Sequence, residues 1–393
     1  MLIAILLYAG LLAVIRNSES CNRLKIILLF SVGYWFRIIL STFIREVSFF
    51  SHGIGGDYIL YESLAEDILV FWKQNGLHYV TSESLPWLQQ TDLPSNMIAF
   101  VSYVSGGYSR IGSASIPAFF ACLSVFLLYQ LYRFHDEEGV VSIWVAFFTL
   151  FNLTFLYYTS DTYKDGYVVF FVVAIFWSSF KLEQKSSLWI LALELCCFLG
   201  LWHVRHYLVY PMVPVFLWGF LGRNELLSGR RAVFMCFALL VAYIVYLFFF
   251  HDFGENMEKT WGIIQSESWH RELQGGGSGV DSSEFSFPVK AFYTLFSPLP
   301  WQSGGLGLQV GKLDVFIWYY LYFQAATGFK QLLGKDRIVA MLFVVALLPI
   351  IGAYAISFSN IGLIVRQRIP ILFLISILAV WGKAHKSATR VKS

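Results

Sequence analysis

Eleven stretches of the chain are apolar at nearly every position, at about residues 2–15, 26–44, 112–132, 139–159, 166–180, 187–202, 207–221, 232–250, 313–329, 338–356 and 363–382. A helix packed on a soluble core keeps a polar stripe toward water, whereas these runs are apolar all round. Most approach the roughly 20 residues that a bilayer-crossing helix needs. The pattern predicts an all-α, polytopic transmembrane helical protein of about 11 spans, with residues 1–393 forming a single integral-membrane domain. The first run begins at Met1 without a basic leader or a small-residue cleavage pattern, and reads as a retained helix.

Two intervals, 45–111 and 251–312, are too long to be simple links between helices. In the first, Ile59, Leu60, Leu64, Ile68, Leu69 and Trp72 recur near helical spacing while Asp57, Glu62, Glu66, Asp67 and Lys73 form a polar side. This predicts an amphipathic interfacial helix over Asp57–Asn75. A second such segment, Asn96–Tyr108, is expected after the breaks at Pro86 and Pro94. The second interval carries the flexible run Gly275-Gly276-Gly277-Ser278-Gly279 and ends in the stiff aromatic stretch Phe296-Ser297-Pro298-Leu299-Pro300-Trp301.

Composition agrees with the pattern: 57% of residues are hydrophobic, 19% aromatic and only 13% charged, roughly half the charged fraction of a soluble domain. The net charge of +3 is what basic cytoplasmic loops alone would produce, so it gives no reason to expect a nucleic-acid partner. Charge placement sets the orientation. With the N-terminus outside, Arg16, Arg23, Lys25, Arg133, Lys181, Lys185, Arg223, Arg230, Arg231, Lys330, Lys335, Arg337 and the Lys383–Lys392 tail all fall inside, in short segments. The expectation is therefore N-out and C-in, with both long intervals external. The five cysteines show neither a disulfide framework nor zinc-type spacing, and no glycine loop of a nucleotide-binding kind occurs.

On that topology the notable polar clusters share the external side. Ionisable groups at a membrane boundary are costly and tend to mark a site. Asp57 follows Gly55 and Gly56 and opens the amphipathic helix, where a carboxylate is favoured as an N-cap as well as by any catalytic role. Tyr61 lies one turn further on the same face, and Glu66 and Asp67 could add acidic partners. Asp161 and Asp165 flank Lys164 in a tight external turn. They could pair internally, orient a substrate hydroxyl or help hold a divalent cation such as Mg or Mn, although the sequence contains no dedicated metal-ligand motif. Arg205, between His203 and His206, and the pair Arg366 and Arg368 place guanidiniums at headgroup depth, where a lipid phosphate is the natural ligand. The histidines, without a Ser or Cys nucleophile motif nearby, suit structural hydrogen bonding.

The string Gly-Asp-x-x-x-Tyr-x-x-Leu-Ala, at Gly56, Asp57, Tyr61, Leu64 and Ala65, resembles the first external loop of GT-C superfamily glycosyltransferases. The Ser160-Asp161 to Lys164-Asp165 turn, Pro298-Leu299-Pro300-Trp301 and Arg366-Gln367-Arg368-Ile369-Pro370 look similar to patterns in bacterial membrane proteins of surface-polysaccharide loci. The resemblance implies an inverting transferase in a bacterial inner membrane, using a polyprenyl-phosphate-linked sugar on the external face. Asp57 would be the general base, and Arg205, Arg366 and Arg368, with Lys164, would stabilise the departing phosphate. Two other readings stand beside it: an O-antigen-type polymerase acting on lipid-linked oligosaccharides, and a lipid-linked oligosaccharide flippase.

Overall fold

In the computed structural model, residues 1–18, 22–45, 57–88, 92–134, 136, 139–185, 187–221, 285–302, 306–356 and 361–391 are described. They form helices α1 (Leu2–Ser18), α2 (Arg23–Phe43), α3 (Asp57–Asn75), α4 (Asp92–Val104), α5 (Arg110–Arg133), α6 (Val140–Leu150), α7 (Leu153–Thr159), α8 (Asp165–Gln184), α9 (Leu188–Arg205) and α10 (Val209–Leu221). After the second long interval come α11 (Phe287–Phe296), α12 (Leu306–Lys335), α13 (Arg337–Ile356), α14 (Ile361–Gln367) and α15 (Ile369–Val391). Among the described residues there is no strand. The expected span 232–250, the run Gly275–Gly279 and Gly55-Gly56 lie outside the described residues.

Five described stretches are long and apolar enough to cross a membrane, and two bent helix pairs raise the number to seven. The chain is thus a helical, multi-pass membrane protein. One of those stretches, Leu188–Leu221, doubles back at the short turn His206–Leu208. Glu194 of α9 accepts a hydrogen bond from Ser179 of α8, and Gly219 of α10 lies against the same Ser179, so both arms return to one end of α8. Helix α8 is the centre of the bundle, buried along most of its length and flanked by α5, α9 and α10. Close approach replaces bulk where helices cross. A Cβ on Gly328 of α12 would sit 1.9 Å from the Leu378 carbonyl of α15, and one on Gly382 would sit 2.6 Å from the Gly328 nitrogen. Lipid tails are as apolar as leucine, so this intimate packing, and not water exclusion, holds such pairs together.

The run expected as a single span over 139–159 is broken, with α6 and α7 meeting at 57°. Backbone groups freed by a break must find partners inside the protein, since lipid offers none. Arg37, fully buried on α2, donates from Nη2 to the Leu150 carbonyl at 2.7 Å and from Nε to Thr159 Oγ1 at 2.8 Å. On the other side, Asp314 of α12 accepts from the Leu153 and Thr154 amides at 2.9 and 2.7 Å, and Asn152 Oδ1 accepts from Phe155 at 2.8 Å. The final apolar run bends too, by 48° between α14 and α15. The break falls at Arg368, and Pro370 stands in the first turn of α15, where a proline is tolerated.

Helix α3 has the ends expected for it, Asp57 and Asn75. It packs on α4 through Tyr61, Leu64, Ile68, Trp72 and Ile98, a small core separate from the main bundle. Ile59, Leu60 and Val70 remain exposed, as suits a helix at an interface. Helix α4 starts at Asp92, four residues before the expected Asn96, and includes Pro94. A proline in the first turn breaks nothing, since its missing N–H would have had no partner there.

Replacing Arg37 with Met should lower stability by about 3 kcal/mol, because the Leu150 carbonyl loses its charged donor in a lipid-facing protein. Reversible unfolding in mixed micelles measures this, and a wild-type midpoint would show that the break supports itself.

Candidate functional site

The helix termini dictate which charges can be held where. Asp57 and Asp165 are the first residues of α3 and α8, while Arg205 and Arg366 lie in the last turns of α9 and α14. Helix N-termini favour anions and C-termini favour cations, so these four ends can be brought together without like charges meeting. Gly166 lets this happen at α8: a Cβ there would lie 2.8 Å from the Pro117 carbonyl of α5.

Arg366 is the junction. Its Nη2 lies 2.6 Å from Asp57 Oδ2 and its Nε donates to Asp165 Oδ2 at 2.6 Å. The other Asp165 oxygen faces Arg205 Nη2 at 3.5 Å, and Arg205 Nη1 donates to the Tyr354 hydroxyl of α13 at 3.3 Å. Tyr158 and Tyr163 bring their rings to 5.1 and 5.3 Å from the Arg366 guanidinium carbon, and Lys164 Nζ lies 5.9 Å from the Tyr61 ring. Asp165, Arg205 and Arg366 are all buried, whereas Asp57 keeps 45% of its side chain exposed. The cluster is therefore a buried cationic floor with one accessible carboxylate.

The electrostatics follow from this geometry. The Arg366 guanidinium holds the Asp57 carboxyl below the usual carboxylate range, against the effect of burial, with Lys164 and Arg205 adding to the pull. Burial, together with the neighbouring Arg205 and Arg366 charges, pushes the Lys164 ammonium down to about 7. Burial and the adjacent Asp57 charge push the Tyr61 hydroxyl up, so it stays a neutral donor.

Asp161 is not part of this cluster. The chain from Ser160 to Lys164 is a turn and not a helix, so the four-residue spacing from Asp165 does not put the two carboxylates on one face. Asp161 instead binds Arg45 through Nε at 2.6 Å and Nη2 at 2.5 Å, while Arg45 also grips Glu62 at 2.5 and 3.0 Å. Thr162 and Tyr108 donate to Glu62 at 2.8 and 2.6 Å, and the Arg45 guanidinium lies over Tyr58 at 4.1 Å. Burial opposes charge on Glu62, but the bonds from Arg45 and Tyr108 overcome it and keep its carboxyl below the usual range. This second network ties α3 to the turn before α8. Tyr58 then meets Tyr163 edge-on at 5.6 Å, linking the network to the Arg366 cluster.

The remaining expected residues lie elsewhere. His203 Nδ1 pairs with Asp92 Oδ2 at 3.0 Å and joins α9 to α4, and His206 packs between Trp202 and Tyr207. Arg368, buried at the bend after Arg366, donates to the Leu295 carbonyl at 3.1 Å. It leaves the cluster because it sits two residues past Arg366, on the other side of a bend. Glu66 and Asp67 also stay outside the cluster, and Asp67 accepts from the Trp87 indole at 2.9 Å. Among the described residues, no group of three or more His, Cys, Asp or Glu converges as a metal ion would require. Arg45, Tyr158 and Tyr354 were not anticipated, and Glu62 and Tyr163 were expected only as part of the polar side of α3 and of the 161–165 turn. Arg45 carried the same signal as Arg205, a basic residue at a span end on the side where the charge rule does not place it.

No family model matches the chain, and neither the curated proteins nor the solved structures compared with it include a match.

Arg45→Met should lower stability by about 2 kcal/mol, since Asp161 and Glu62 would then face each other without a cation. Adding Asp161→Asn and Glu62→Gln should restore much of the loss. Thermal unfolding in detergent checks both steps, and an unaffected single variant would show that the network contributes nothing.

Proposed function

We propose that the chain is an inverting glycosyltransferase of the GT-C type, moving a sugar from a polyprenyl-phosphate donor onto a growing or modified cell-surface polysaccharide. One observation carries this reading: the accessible Asp57 carboxylate is bonded to Arg366, which shares Asp165 with Arg205. Such a site offers a base beside an anion-binding floor, the two parts that displacement of a phosphate leaving group needs. The proposed orientation is N-out and C-in, with about 11 spans in a bacterial inner membrane and the cluster on the external side.

In the free protein Asp57 is a weak base, because Arg366 stabilises its charged form. A donor phosphate that accepts from Arg366 and Arg205 would draw Arg366 away and release the carboxylate. Asp57 then takes the proton of the acceptor hydroxyl as that oxygen forms its bond to the anomeric carbon. The bond from that carbon to the phosphate oxygen breaks, its electron pair leaves with the lipid phosphate, and in-line attack inverts the centre. Lys164 adds positive charge beside the leaving group while it is protonated. Binding of the donor before deprotonation of the acceptor is thus built into the ion pair.

The two guanidiniums on Asp165 also favour a second reading, an O-antigen-type polymerase, because together they could receive a lipid-linked diphosphate. A flippase has less support. Arg37, Glu194 and Asp314, buried within helices of the bundle, are each engaged with a neighbouring helix.

Asp57→Asn is expected to reduce glycan transfer by about 10³-fold in reconstituted vesicles while the protein stays folded and inserted. Near-normal product would remove Asp57 from the reaction. Arg366→Ala should cost about 10²-fold, and donor analogues should distinguish monophosphate from diphosphate. Lys164 is charged below about pH 7 and neutral above it, so affinity for the anionic donor should fall as pH rises through that value. Lys164→Arg, which keeps its charge, should flatten the profile between about pH 6 and 8; an unchanged profile would exclude Lys164 as the titrating group.

A further inference from the structure

At the opposite end of α8 from Asp165, a cavity of about 280 Å³ opens among the ends of α5, α8, α10, α12 and α13, against the side of α15. Twenty residues of helix span about 30 Å, so this cavity and the Asp57 cluster lie on opposite sides of the bundle. Its size suits a headgroup better than a larger ligand, since pockets for drug-sized molecules start at about 300 Å³.

The walls make two demands. Phe134, Phe180, Trp218 and Trp381 supply aromatic faces, with the Lys181 ammonium 5.3 Å from the Phe134 ring, and Glu183 adds a carboxylate beside Asp336, which also accepts from the Val339 amide at 3.1 Å. The rings are already arrayed edge-on or tilted around Phe180, with Trp218 at 4.8 Å and both Phe134 and Trp381 at 6.0 Å. Aromatic faces beside carboxylates favour an ammonium group. The Trp218 Nε1–H, however, is buried without an acceptor, and Lys335 contributes a positive charge at the same wall. Both of these call for an anionic oxygen. A simple cation leaves the indole unsatisfied, and a simple anion meets Glu183 and Asp336. A zwitterion answers both.

We propose that this cavity is a binding site for the headgroup of a zwitterionic phospholipid, with the ammonium among the rings near Glu183 and Asp336 and a phosphate oxygen accepting the Trp218 indole proton beside Lys335. The site stands apart from the transferase reading and does not depend on it. Lys181 and Lys185 at the end of α8 and Arg337 at the start of α13 gather basic residues around it, as expected of helix ends at a membrane surface.

The test uses the full chain, delipidated and then loaded with phosphatidylethanolamine, phosphatidylcholine or phosphatidylglycerol, with retained lipid counted by native mass spectrometry. The two zwitterionic lipids should be retained about tenfold more tightly than phosphatidylglycerol. Trp218→Phe should remove most of that preference by deleting the donor while keeping the ring. Glu183→Gln, at a helix end outside the main core, should reduce it without changing the melting temperature. Equal retention of phosphatidylglycerol by the wild-type protein, or an unchanged preference in both variants, would overturn the proposal.

Discussion

Arg366 is the contact on which the arrangement of this end of the bundle depends. A buried guanidinium is costly to strip of water, and only partners with complementary charge and direction offset that cost. Asp165 supplies one such partner from the start of the most buried helix, and Asp57 supplies the other from the start of α3, which packs outside the main core. The first carboxylate is fixed by burial and the second remains reachable. That asymmetry separates a residue that fixes the cation from one that stays open to solvent, while the same ion pair ties α3 to the bundle.

The cluster lies where two broken spans meet. Helix α7 ends just before the turn that carries Asp161 and Lys164, and α14 ends at Arg366 and Gln367. Breaking a helix inside lipid frees backbone groups at a cost of several kcal/mol if they stay unpaired. Arg37, Asn152 and Asp314 meet that demand at the first break. Two uses of polar residues within the bundle follow. Some repair the backbone so that the chain can turn, and others occupy the end that the turn creates.

Much of this was legible from residue order. The polar face and the glycines before Asp57 placed the start of α3 at the residue where it begins, and the apolar runs marked the described spans. The bend at 151–152 was not legible, because hydropathy records apolar character and not direction, and Asn152 is one polar residue in a run of over twenty. The separation of Asp161 from Asp165 was equally hidden, since spacing implies a shared face only where the chain is helical. Arg45 went unread although its position carried a signal, because an isolated arginine at a span end is ordinary until its partners are known.

What the sequence determined by itself is the class of protein and the positions of its charges along the chain. Both follow from local chemistry: apolar length decides whether a segment enters lipid, and helix termini decide which charge is tolerated where. Tertiary structure alone decided which charges meet. Asp57, Asp165, Arg205 and Arg366 come from four helices whose ends meet through these side chains, with α8 packed closely on α5 and α14 stopping at a bend. Direction in space is a property of packing, and no periodicity along a chain encodes it.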